Sequence, residues 1–185
     1  MVYLFLKDGF EEADALVTAD VLRRAGAEVV LTGGDAVTGS HGIRVACDAP
    51  VDAVCLEKAE MLILPGGLAG VQNLKADARV IALLRDAAAR GIRIAAICAA
   101  PTILGELGLL RGKLATCYPG CEDALEGAQL PGAGVVTDGK ITTGKAAGTV
   151  YAFAYELARL LCGEEAADRV RAGMYAGEDA PVIRR

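Results

Sequence analysis

Cys98 is the residue whose sequence setting most favours chemistry. It directly follows the apolar run 92–97, whose β-branched residues are typical of a buried parallel strand. Small and helix-forming residues resume at Ala99, so Cys98 is predicted at a sharp strand-to-helix turn, the place where α/β-hydrolases hold their nucleophile. The free N–H groups at a helix start favour the thiolate. A buried core cysteine is the alternative, and this stretch alone leaves both interpretations open.

A glycine pair, Gly66-Gly67, follows another buried strand and Pro65. Glycine lets the backbone approach a ligand closely, although an ordinary turn explains the same residues. Beside a nucleophilic cysteine, the N–H groups of Gly67 and Ala99 are predicted to form an oxyanion hole.

Three acidic residues, Glu11, Glu12 and Asp14, lie in the first turn of the first predicted helix. The helix dipole stabilises carboxylates there and accounts for one or two of them. A carboxyl group aimed at Cys98 would hydrogen-bond its sulfur if burial raised the pKa enough to keep the acid protonated.

The elements that must position these residues alternate between strand and helix. The predicted strands are 2–6, 28–32, 61–64, 92–97, 113–117 and the hairpin 135–143, with a short hairpin in 36–48. The predicted helices are 11–25, 76–90, 149–161 and 164–175. This order predicts an α/β fold, a doubly wound parallel sheet sandwiched by helices, in one domain over residues 1–185. Ligands bind at the carboxyl edge of such a sheet, where segments 9–14, 65–68, 98–101 and 118–119 are expected to meet.

Composition excludes several classes of function. The net charge is −5, and there is no basic cluster larger than pairs such as Arg23-Arg24, so no nucleic-acid partner is expected. No apolar run of about 18 residues is free of charge, so no membrane span is expected. Six scattered cysteines and a start that reads as a strand indicate reduced thiols in the cytoplasm.

No metal or cofactor is predicted. Cys117 and Cys121 lack a second ligand pair, and the single histidine, His41, is distant in sequence and is interpreted as a solvated loop residue. The glycine-containing loops do not match a phosphate-binding fingerprint.

Five segments together resemble the ThiJ/PfpI superfamily, most closely its DJ-one branch. They are 8–14, 20–26, 64–67, 95–101 and Gly148-Thr149, in the family's order within residues 2–170. The resemblance implies a flavodoxin-like sandwich, a homodimer, and Cys98 as the cysteine of the nucleophile elbow. It also implies glyoxalase-type conversion of methylglyoxal to lactate, deglycase action on glyoxal adducts, or oxidation sensing through a cysteine sulfinate.

The chain departs from the family's pattern at three positions. Ala99 stands where the protease branch has a histidine, so peptidase activity is not expected. Asp14 stands where the DJ-one branch has a glutamate within reach of the sulfur, and aspartate is one methylene shorter. Tyr118 stands where that branch often has a histidine, and tyrosine, with a pKa of ~10, shuttles protons less readily near neutral pH.

The sequence therefore predicts a cysteine-dependent enzyme of weak turnover that acts on small reactive carbonyls. Cys98 and Asp14 are the predicted catalytic residues, Gly67 and Ala99 the oxyanion hole, and Gly66 and Tyr118 part of the substrate pocket. A stress-protective role accompanies this activity.

Two other functions stay open. The first is a non-catalytic, chaperone-like sensor of oxidative stress, in which Asp14 stabilises a Cys98 sulfinate. The second is hydration of an isocyanide, as in relatives that have an aspartate matching Asp14 but a threonine after the cysteine. Cys117 is considered as a resolving thiol, although a small buried strand residue is the favoured interpretation. The face of the first helix with Ala13, Val17 and Asp20 is the expected dimer surface.

Overall fold

The computed structural model describes residues 1–175, so the end of the predicted domain, residues 176–185, lies outside the described residues. The strands are β1 (Val2–Phe5), β2 (Val29–Gly33), β3 (Ala36–Thr38), β4 (Arg44–Ala46), β5 (Ala49–Pro50), β6 (Met61–Leu64), β7 (Arg93–Ile97), β8 (Val135–Asp138) and β9 (Ile141–Gly144). The helices are α1 (Glu12–Ala25), α2 (Leu68–Ala76), α3 (Ala78–Ala89), α4 (Pro101–Glu106), α5 (Val150–Cys162) and α6 (Glu164–Gly173). None of these helices is long and apolar enough to cross a membrane.

Seven strands form one sheet in the order β5-β2-β1-β6-β7-β9-β8. All neighbouring strands are parallel except β8 and β9, which form the predicted antiparallel hairpin. In register, Leu4 of β1 lies between Leu31 of β2 and Ile63 of β6. The prediction of a flavodoxin-like, doubly wound fold is confirmed.

The apolar strands are buried because helices cover both faces of the sheet. Along β1, Val2 and Leu4 belong to one core cluster, while Tyr3 and Phe5 belong to the other. The first cluster is completed by α1, α5 and α6, and the second by α2, α3 and α4. Successive strand residues point to opposite faces, so a strand covered on both sides reads as a continuous apolar run.

Two predicted elements differ from the structure. The helix predicted over 76–90 begins at Ala78, because the side chain of Asp77 accepts a hydrogen bond from the Arg79 N–H (3.1 Å) and caps α3. The preceding helix α2 has no side-chain cap, and it is not among the helices predicted from the sequence.

The predicted strand 113–117 is wrong. This segment forms only an isolated bridge between Leu114 and Gln129. Both edges of β9 are already occupied, by β7 and β8, so the segment cannot pair with β9. The N–H of Thr116 instead donates to the side-chain oxygen of Thr143 in β9 (2.9 Å).

Candidate active site

The backbone of Cys98 has a strained conformation that its neighbours enforce. Its φ of 65° lies in the left-handed region, which costs a non-glycine residue roughly 1–2 kcal/mol. Its N–H donates to the Gly144 carbonyl (2.9 Å), and its carbonyl accepts from the Tyr118 N–H (2.8 Å). The predicted sharp turn between β7 and α4 is confirmed, and hydrogen bonds on both sides hold it in place.

Asp14 and Cys98 converge on the bare Cα of Gly66. The Gly66 N–H donates to Asp14 Oδ2 (3.1 Å), and the Cys98 side chain lies near enough to lower the pKa of the Asp14 carboxyl. A Cβ added at Gly66 would lie 2.6 Å from Asp14 Oδ2 and 2.9 Å from Cys98 Sγ. The shorter aspartate therefore lies beside the sulfur, and a side chain at position 66 would occupy the space between them.

Burial dominates the electrostatics of Asp14. The residue is fully buried, which raises the pKa of its carboxyl to about 7. The Gly66 N–H and the hydrogen bond to Cys98 oppose this rise, while the charge of Glu11 adds to it. Asp14 is therefore protonated in a large fraction of molecules at neutral pH and able to donate a hydrogen bond.

The structure does not support the predicted stabilisation of the Cys98 thiolate. Burial and the neighbouring Asp14 charge raise the pKa of the thiol to about 11. The N–H groups of Ala99 and Gly67 lower it, but by less than burial raises it. Because the two groups are coupled, a thiolate near neutral pH arises chiefly when Asp14 holds the proton that the sulfur gives up.

The backbone N–H groups of the two predicted oxyanion-hole residues, Gly67 and Ala99, lie near enough to Cys98 to lower the pKa of its thiol. The φ of Gly67 is 90°, and a Cβ there would lie 2.6 Å from the Glu11 nitrogen, so only glycine fits without strain. The Glu11 N–H donates to the Gly66 carbonyl (2.8 Å), which fixes this loop against the start of α1.

The backbone N–H of Tyr118 holds this residue against the elbow, and 46% of the residue's surface is exposed. A cavity of about 230 Å³ flanks the same elbow. Ala99 and Thr102 line it on one side and Leu68 and Val71 of α2 on the other, whereas Gly66 and Tyr118 are not among its lining residues.

His41 has a structural partner that the sequence analysis did not foresee. The ring Nδ1 of His41 lies 2.9 Å from Glu12 Oε2, and the backbone N–H of His41 donates to Glu12 Oε1 (2.7 Å). Burial tends to raise the pKa of Glu12, but the hydrogen bonds from His41 and Ile43 lower it to about 2. His41 thus fastens the β3–β4 hairpin to the start of α1. The possible ligand atoms of Glu11, Glu12 and His41 lie within 4.8 Å of one another, a spacing also seen in metal sites. The pairing of His41 with both carboxylates explains why these atoms are close.

Cys117 is buried in the core cluster on the α2–α4 side of the sheet, while Cys98 packs against the cluster on the other side. Burial in the core favours a structural role for Cys117, and burial together with nearby charges, that of Cys98 included, raises the pKa of its thiol to about 12.

Comparisons with known proteins find similarity to one family over most of the chain. The model of the DJ-1/PfpI family matches residues 1–160. Protein dj-1beta of Drosophila melanogaster is 38% identical over 176 residues, which are 92% of this chain and 94% of that protein. A deglycase of Pyrococcus horikoshii is 32% identical over 166 residues, 87% of this chain and 99% of that protein.

Solved structures show the same similarity. The crystal structure of Drosophila melanogaster DJ-1beta superposes with a TM-score of 0.91 at 36% identity, covering 96% of this chain and 98% of that chain. The structure of oxidized Toxoplasma gondii DJ-1 gives a TM-score of 0.90 at 31% identity, with the same coverage.

Proposed function

Since the chain belongs to the DJ-1/PfpI family, we propose that it is a cysteine-dependent enzyme acting on small reactive carbonyls such as methylglyoxal. The observation that carries this proposal is the convergence of the Cys98 thiol and the Asp14 carboxyl on Gly66, with the backbone N–H groups of Gly67 and Ala99 near the thiol. The name deglycase on the Pyrococcus horikoshii relative supports carbonyl chemistry in the family.

In the first step, the carboxylate of Asp14 takes the thiol proton and the Cys98 sulfur adds to the aldehyde carbon. A C–S bond forms, and the π-electron pair of the C=O bond moves onto oxygen. The N–H groups of Gly67 and Ala99 stabilise the resulting alkoxide. Asp14 then gives its proton to that oxygen, which completes a hemithioacetal.

In the second step, Asp14, again ionised, removes the hydrogen on the sulfur-bound carbon as a proton and passes it to the ketone oxygen, so that an enediol forms. Solvent protonates the neighbouring carbon while the hydroxyl on the sulfur-bound carbon loses its proton, which gives a thioester. Water hydrolyses the thioester to lactate and free Cys98. The overall reaction adds one water to methylglyoxal. One carbon is oxidised and its neighbour reduced within the same molecule, so no external oxidant is required.

Slow turnover is expected from two features. A thiol with a pKa of about 11 is rarely ionised near neutral pH. Tyr118 also does not provide the second proton shuttle that a histidine would. Both features reduce the rate of methylglyoxal turnover without preventing the addition of Cys98 to the aldehyde.

A sensor of oxidative stress is the second candidate. A protonated Asp14 would donate a hydrogen bond to a Cys98 sulfinate, and its pKa of about 7 allows this at neutral pH. The similar structure of oxidized Toxoplasma gondii DJ-1 motivates the comparison. Isocyanide hydration has only the identity of Asp14 in its favour.

A cytoplasmic homodimer is part of the proposal. Ala13 and Val17 are partly exposed on α1, beside the exposed Asp20, so this face is available for a partner. The molar mass measured by light scattering during size-exclusion chromatography tests the dimer, and the mass of a monomer would contradict it.

Turnover of methylglyoxal to lactate tests the proposed function, with wild type, Cys98→Ser and Asp14→Ala compared. Loss of the rate in Cys98→Ser is expected, with a lower rate in Asp14→Ala. A wild-type rate no higher than that of Cys98→Ser would refute the enzyme and favour the sensor. Intact mass after peroxide treatment tests the sensor, which should stop at two added oxygens on Cys98.

A further inference from the structure

Two buried side-chain oxygens on α1 have no hydrogen-bond partner within residues 1–175. They are Asp14 Oδ1 and Thr18 Oγ1, and both residues have no exposed surface. The other oxygen of Asp14 is engaged with Gly66. Buried polar atoms are almost always paired with protein or with ordered water, so two unpaired ones on the same helix require an explanation.

The two oxygens belong to side chains that are neighbours on α1, four residues apart. Residues four apart on a helix are neighbours, with Cβ atoms about 5–6 Å apart. Helical side chains also lean toward the N-terminus, so Thr18 leans toward the turn that carries Asp14. A water with hydrogen bonds of about 2.8 Å spans such a gap, and buried waters typically satisfy polar groups that the chain leaves unpaired.

We propose that Thr18 and Asp14 hold a buried water between Oγ1 and Oδ1, and that Thr18 acts through this water as a positioning residue for the Asp14 carboxyl. The water donates to Asp14 Oδ1 and accepts from, or donates to, the Thr18 hydroxyl. The site itself is independent of the enzyme's substrate; its use in proton exchange with Cys98 rests on the proposed function.

The groups that face Asp14 show why this contact matters. Glu11 on the same helix start disfavours the ionised carboxyl, and burial does so more strongly. The Gly66 N–H, from the loop between β6 and α2, and Cys98, from the elbow, stabilise it by hydrogen bonds to the carboxyl. A donor at Oδ1 adds a third stabilising contact, and its loss makes Asp14 retain its proton to higher pH.

The test is the pH profile of Cys98 alkylation by iodoacetamide, quantified by mass spectrometry of the Cys98 peptide. In wild type, reactivity first rises as the coupled pair loses its first proton, near the Asp14 pKa of about 7. In Thr18→Val this lower inflection is expected about 1–2 pH units higher, the effect of one lost hydrogen bond to a charged group.

Two control variants separate the hydroxyl from general packing. Thr18→Ser keeps the hydroxyl and is expected to retain the wild-type inflection. Thr32→Val removes a buried hydroxyl from β2, where Thr32 Oγ1 bonds to the Val30 carbonyl (3.2 Å), and should also leave it unchanged. An unchanged inflection in Thr18→Val, or an equal shift in Thr18→Ser, would overturn the role of Thr18.

A crystal structure of the wild type at about 1.5 Å tests the water itself, whatever the variants do. A density peak within hydrogen-bond distance of both oxygens is expected. A Thr18 hydroxyl bonded to a backbone carbonyl, with no such peak, would overturn the proposal. Neither measurement involves turnover, so an inactive wild type would refute the proposed function without affecting this result.

Discussion

Gly66→Ala is expected to abolish the site while the fold survives. A Cβ at this position would lie 2.5 Å from Cys98 Cβ, 2.6 Å from Asp14 Oδ2 and 2.9 Å from Cys98 Sγ. Real Cβ atoms do not approach heavy atoms this closely, so the thiol and the carboxyl must separate. Overpacking of this kind costs about 1–3 kcal/mol, which for a chain of this size lowers Tm by several degrees.

The catalytic loss should be larger than the loss of stability. Displacement of reacting groups by about 1 Å reduces rates roughly 100-fold, so methylglyoxal turnover is expected to fall by about that factor. Thermal unfolding and initial rates of lactate formation measure the two effects. Gly148→Ala is the matched control, since a Cβ there has no heavy atom within 4 Å, and it should leave both unchanged. Turnover within twofold of wild type in Gly66→Ala would refute the described convergence.

Three further predictions concern stability and redox chemistry. The folded-state pKa of Asp14, about 7, lies above its usual 3.8, so the wild type loses stability as pH rises between these values. Asp14→Asn should therefore be more stable than wild type above pH 7, by on the order of 3 kcal/mol, in urea unfolding at pH 5 to 9; parallel pH curves would contradict this. Glu12→Gln weakens the contacts to His41 and should cost about 1–3 kcal/mol in thermal unfolding, and an unchanged Tm would contradict the fastening of the hairpin. Cys117→Ser should give the same mass change at Cys98 after peroxide as wild type, whereas more Cys98 oxidation in the variant would identify Cys117 as a resolving thiol.

The layout of the fold could be predicted because its strands are buried on both faces. Apolar runs such as 61–64 and 92–97 carry that signal directly, and Gly26, in the left-handed conformation (φ 96°), ends α1 where the sequence indicated. Helix α2 escaped prediction because it begins at a glycine without a side-chain cap. The strand predicted at 113–117 failed because this segment bridges only Gln129, and a strand's pairing partner is set by the whole topology rather than by its local sequence.

The sequence predicted that Cys98, Asp14 and Gly66 would lie together, as they do, but it indicated their electrostatics only in part. Residue type and position in the sequence are enough to predict the turn at Cys98 and the glycine pair Gly66-Gly67. The pKa of Cys98 could not be predicted, because the helix start lowers it while burial raises it, and only the structure shows that burial dominates. The contact between Glu12 and His41 joins residues distant in sequence, and no local pattern indicates it.

The central claim is that Cys98 converts a small carbonyl by covalent chemistry, and proton NMR of methylglyoxal turnover in D₂O tests it most directly. Wild type is expected to form lactate that carries deuterium on the carbon next to the methyl group, because the enediol takes its new proton from solvent. Cys98→Ser should leave only hydrated methylglyoxal. Lactate formed equally by both proteins, or by neither, would contradict the account.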